Sequence, residues 1–174
     1  MMNARSIPEV RELLADSDHV DVKTVESSND LRTFLAGMLN YSPRWMVFLF
    51  RARGIFARLL GLRHESEPGP RTWKPGDIPF EKGALLSFFT VHDAKPDRWF
   101  IAYAKDRHLI GYLAVVAEQM KTAGGTRRCH VITIVKYLNW AGPVYFNVIR
   151  PFHHLVVKRM AAAGARESGK GSGD

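Results

Sequence analysis

Apolar and polar positions change their period several times along this chain, and each change marks an element. Val20 and Val22 alternate with polar Asp21, Lys23 and Thr24, which predicts a short strand over residues 18–25. Ser27, Ser28, Asn29 and Asp30 follow, with Asp30 three residues after Ser27 in the spacing of a capping box. Leu31, Phe34, Leu35, Met38 and Leu39 recur at helical spacing and predict a first amphipathic helix. Ser42-Pro43 opens a second, because serine offers a capping oxygen and proline needs no donor at the first helical position. Its expected core face comprises Trp45, Phe48, Leu49, Ala52, Ile55, Phe56 and Leu59, and Gly61 is its expected stop.

Six prolines and glycines between Arg63 and Lys82 mark a long connector, in which Trp73 and Phe80 are placed to dock or to cover something. The period then changes to two. Leu85 to Val91 reads as one strand and residues 93–97 as a turn. Trp99, Ile101 and Tyr103 alternate on the next strand, and residues 105–107 form a turn. Leu109 to Met120 is a third strand, Gly124-Gly125 a hairpin tip, and Arg128 to Leu138 a fourth strand rich in β-branched residues. Gly142-Pro143 opens a last helix with Tyr145, Val148, Ile149, Phe152 and Val156 at helical spacing. Pro151 should kink it and Gly164 should end it. The expectation is an α+β fold in one domain, residues 1–163, with a flexible tail, 164–174. A curved antiparallel meander packs on the long C-terminal helix, and two helices follow the first strand.

This order of elements resembles the helix-grip architecture of the START-like and polyketide-cyclase (SRPBCC) superfamily. His108-Leu109, the junction residues Asn139, Gly142 and Tyr145, the block Ile149-Arg150-Pro151-Phe152-His153, and Trp45 also resemble a bacterial family of unknown function within it. The resemblance implies a sheet that grips the C-terminal helix, often with a hydrophobic cavity between them. The family pattern tends to carry an acid soon after the His-Leu pair. Ile110 and Gly111 stand there in this chain, so no role for that acid carries over.

Composition narrows the classes. The chain has 174 residues, enough to bury a core without staples, and one cysteine, Cys129, which cannot form an internal disulfide. The longest purely apolar run, Trp45 to Phe50, is far too short to span a bilayer, which points to a cytoplasmic protein. Net charge is +8, and five arginines with no acid lie between positions 44 and 63. Arg44, Arg51 and Arg58, spaced by seven, form a stripe on the second helix. The stripe suits an anionic membrane surface or plain solvation. Nucleic acid is not expected, because the neighbouring aromatics read as core.

Chemistry is sparse. His153 and His154 are adjacent on a helix and cannot easily share a metal, and no ligand set accompanies them, so no metal or other cofactor is expected. Cys129 and His130 would face opposite sides of a strand, so they do not read as a nucleophile and its base. No nucleophile elbow or dinucleotide fingerprint is present, and no catalytic motif is recognisable. Asn139, Tyr145 and His153 suit either a structural tie at the helix start or the orientation of a ligand. The expected cavity draws on Trp99, Tyr103, Tyr112, Tyr145 and Phe152, with His153, His108 and Asn139 as its polar members. The expected function is binding of a small hydrophobic or amphipathic ligand there. A cyclase or dehydratase using the same cavity with His and Tyr as acid and base is the alternative.

Overall fold

The structure, a computed structural model, describes residues 8–48, 51, 54, 72–120 and 125–166. Helix α1 (Pro8–Ala15) precedes strand β1 (His19–Ser27) and helix α2 (Leu31–Asn40). Strands β2 (Leu85–Leu86), β3 (Phe89–Lys95), β4 (Trp99–Lys105), β5 (Leu109–Gln119) and β6 (Arg127–Tyr137) follow, and helix α3 (Ala141–Ala165) closes the order. The six strands form one antiparallel sheet in the order β1-β6-β5-β4-β3-β2. The α+β helix-grip expectation therefore holds, with β1 brought beside the last strand of the meander.

Register sorts the side chains onto two faces. On the inner face Phe100, Ala102, Val115, Cys129 and Val131 pack with Leu31, Phe34, Leu35 and Met38 of α2 and with Val157 and Ala161 of α3. On the outer face Ile101, Ala114, Val116, Ile132 and Ile134 pack with Val10, Leu13 and Leu14 of α1. That helix carries its apolar residues at the i, i+3, i+4 spacing of an amphipathic turn and gives the sheet a second covered face.

Three local readings change. The N-cap of α2 is Asp30, whose carboxylate accepts from Thr33 N at 2.7 Å, while Ser27 Oγ accepts from Asn29 N. The expected strand Leu85–Val91 is two strands, because Ser87 takes a left-handed φ of 59° and turns the chain back on itself. Gly164 is not a helix stop but a crossing point. A Cβ there would lie 2.6 Å from Phe34 O and 2.8 Å from Met38 Cγ, and one at Gly37 would lie 3.1 Å from Gly164 Cα. Only paired glycines let α2 and α3 approach so closely.

The connector docks as expected. Trp73 is buried, and Asn40 holds its backbone from both sides, accepting from Trp73 N at 2.7 Å and donating to Trp73 O at 2.8 Å. Phe80 packs on Phe100 with ring centroids 5.5 Å apart, and the Arg32 guanidinium lies over its other face. Residues 44–48 are helical, but the side chains differ from expectation. Met46 is buried, whereas Trp45 and Phe48 are exposed. Leu49, Ala52, Ile55, Phe56, Arg58, Leu59, Gly61 and Gly124 lie outside the described residues.

Candidate functional site

Helix α3 runs alongside β1 in the same direction. Phe146 lies against His19 (centroids 4.9 Å apart) at one end, and the Asn29 amide donates to Gly164 O and Arg166 O at the other. Between them His154 Nδ1 meets Asp21 Oδ2 at 3.0 Å, and Lys23 Nζ donates to Asp21 Oδ1 at 2.7 Å. The alternation of β1 is real, but Val20 and Val22 lie on the outer face, exposed, and Asp21 and Lys23 lie on the inner face under α3. Burial alone would raise the Asp21 carboxyl, but hydrogen bonds from Lys23 and His154 and their charges outweigh it and hold the pKa below its ordinary value. Burial, then the cationic His154 and Arg150, lowers His19, with Asp21 opposing. This polar seam fastens α3 to the edge strand.

Residues two apart on a helix point about 200° from each other. His154 lies on the β1 side, so Phe152 lies on the opposite flank of α3, and Val148 lies beside it, one turn earlier. Val148 and Phe152 are exposed, at 48% and 51%. The sheet has small or half-buried residues at one end of its inner face. His19, Val135, Gly111 and Ala104 form one cross-strand row, and Asp21, Thr133, Leu113 and Ala102 the next. Gly111, Ala104 and Leu113 are half-buried, and a Cβ at Gly111 would meet no atom within 4 Å. The inner face at this end is therefore only partly covered along the row through Gly111. The other end of the inner face is filled by α2, Trp73 and Ile78.

Tyr145 is buried near the start of α3. Its buried ring stands edge-on to that of His108, 4.6 Å away, and His108 is wholly buried. A Cβ at Gly142 would lie 2.6 Å from His108 O, so the helix start presses directly on the β4–β5 turn. Asn139 completes the tie, donating to Arg107 O at 3.0 Å and accepting from Ala141 N at 3.0 Å. His153 is half-buried, its ring 6.0 Å from that of Phe146.

His108, Asn139 and Tyr145 thus come together at the helix start and Phe152 lies exposed on the flank of α3, but Trp99, Tyr103 and Tyr112 lie on the other face of the sheet. They share the outer face with Ile101 and Ala114, because strand parity sets them opposite Phe100 and Ala102. Trp99 donates to Asp93 Oδ2 at 2.6 Å and borders an outer-face concavity of about 430 Å³. Tyr103 and Tyr112 cluster with His92 at the bulge in β3. Cys129 is buried on the inner face and its thiol is pushed up to about 11 by burial, so it stays protonated, and His130 points outward to Thr24. Among the described residues no group of three metal-ligating side chains occurs, and no helix is long and apolar enough to cross a membrane.

Gly111, Ala104 and Leu113 escaped the sequence reading, which looked for large aromatic walls. Their signal was an interruption by small residues in otherwise bulky strands.

A family model described as "Protein of unknown function (DUF2867)" matches residues 13–160. Among solved structures, the Mll3558 protein from Rhizobium loti is similar with a TM-score of 0.38 and 10% identity, over 83% of this chain and 97% of that one. A truncated norcoclaurine synthase from Thalictrum flavum is similar with a TM-score of 0.35 and 10% identity, over 87% and 95%. No curated protein matches the chain.

Proposed function

This chain belongs to the DUF2867 family, and from that premise we propose that it binds a small hydrophobic or amphipathic ligand in the cleft between the sheet and α3. The observation that supports the reading is the open space over Gly111 on the inner face, in a helix-grip fold whose α3 also exposes the apolar Val148 and Phe152. A core that had no occupant to receive would cover such a surface with its own side chains. The helix-grip arrangement also supports placing the family in the START-like superfamily. An apolar body would lie over Ala104, Gly111 and Leu113.

Binding of a hydrophobic fluorescent probe such as anilinonaphthalene sulfonate, followed by displacement with fatty acids, tests this. Gly111→Leu puts a side chain into the open space, where its Cβ meets no atom within 4 Å, and is expected to lower probe affinity at least about tenfold, the effect of losing roughly 1.4 kcal/mol of contact. Phe152→Ser is expected to act in the same direction. Probe binding unchanged in both folded variants would sink the reading.

A further inference from the structure

The described residues of the arginine-bearing segment after α2 have an unusual surface. Met46 turns inward and anchors the segment, while Arg44, Trp45, Val47, Phe48 and Arg51 are all exposed, Phe48 at 71%. Residues 44, 48 and 51 follow at helical spacing, so Phe48 stands between the two arginines on one outward face, with Val47 and Trp45 to either side. Arg44, Val47, Phe48 and Arg51 together border a shallow concavity of about 300 Å³. Solvation alone explains exposed arginines, but it does not explain large apolar side chains placed between them.

We infer that this face of the protein docks on a membrane surface rich in anionic lipid. The apolar side chains of Phe48, Val47 and Trp45 enter the boundary between headgroups and acyl chains, and Arg44 and Arg51 pair with lipid phosphates and carboxylates beside them. Tryptophan suits that depth because its ring is apolar and its N–H is polar. The absence of any acid between residues 44 and 63, in a chain of net charge +8, makes the local charge complementary to such a surface. Guanidinium groups add fork-shaped contacts to phosphate that an ammonium lacks.

Co-sedimentation of the full chain with phosphatidylcholine vesicles, and with vesicles of equal parts phosphatidylcholine and phosphatidylserine, tests the inference. Retention is expected on the mixed vesicles and not on the neutral ones, and it should fall with added salt as the charges are screened. Arg44→Gln and Arg51→Gln are each expected to weaken partitioning about fivefold, the equivalent of about 1 kcal/mol per arginine. Phe48→Ser should weaken it further, and Arg51→Lys should retain most of it. All three positions are surface ones, so circular dichroism should match the parent. Equal retention on both vesicle types, no retention on either, or retention indifferent to all of these substitutions overturns the inference. Binding to a duplex oligonucleotide that the same substitutions abolish, without vesicle retention, assigns the face to another polyanion and overturns it equally.

Discussion

A methyl group at Gly164 would lie 2.6 Å from a backbone carbonyl oxygen, whereas one at Gly111 would touch nothing. Backbone cannot swing aside as a side-chain tip can, so the two substitutions should separate. Gly164→Ala is expected to cost roughly 1–3 kcal/mol by forcing α2 and α3 apart. Gly111→Ala should be neutral or stabilising by less than about 1 kcal/mol, since the backbone gains stiffness without a clash. Urea denaturation of the two variants measures both. Neither outcome is legible in the sequence. Gly164 follows three alanines near the end of a helical pattern, where a glycine ordinarily signals a stop. Only its neighbour across the helix pair shows that it is there to be small.

Strand β1 poses the corresponding problem at the level of an element. Alternation was readable, but alternation says only that two kinds of residue occupy two faces. Which face meets α3 is decided by the rest of the sheet. The polar set went inward because α3 brings His154 to meet it and so replaces much of the hydration that Asp21 loses. The seam should make stability depend on pH in two steps. The unfolded chain protonates His19 at about its ordinary value of 6.5, and the folded chain only at a lower pH, where His154, Arg150, Lys23 and Asp21 are its charged neighbours. Stability therefore falls as pH drops below 6.5, until the folded His19 is protonated too. The contribution of Asp21 is present above 3.8 and is lost as pH falls through its lower folded value. Urea midpoints across this range should lose the upper step in His19→Asn and the lower step in Asp21→Asn. The meander itself was more legible, since its strands carry bulky alternating residues and its turns are short. The two-residue hairpin at Ser87 was missed because Leu85 to Val91 contains no glycine or asparagine to announce a left-handed turn.

At the scale of the molecule, one sheet serves two cores. The outer one under α1 takes up Trp99 and Tyr112, which the sequence reading gave to the ligand. Large aromatics concentrate on these strands, and concentration alone does not distinguish a filled face from a receiving one. His108, Asn139 and Tyr145 do come together, because they belong to the helix start, its lead-in and the turn it presses on, whose proximity follows from chain connectivity.

Helix α3 is held at both of its ends. Beyond Pro151 it is fixed by His154 on β1, by the glycine crossing with α2 and by Asn29 at its end. Before Pro151 it is fixed by Gly142 and Tyr145 against His108 and by Phe146 against His19. Pro151 supplies no N–H to tie the two halves together, so each half depends on its own anchors. The proline thus divides the helix into two separately moored pieces, and a disturbance of one mooring should stay on its own side of the joint. Pro151→Ala restores the missing hydrogen bond and should join the two pieces, so that amide hydrogen exchange around position 151 slows while the ends exchange as before.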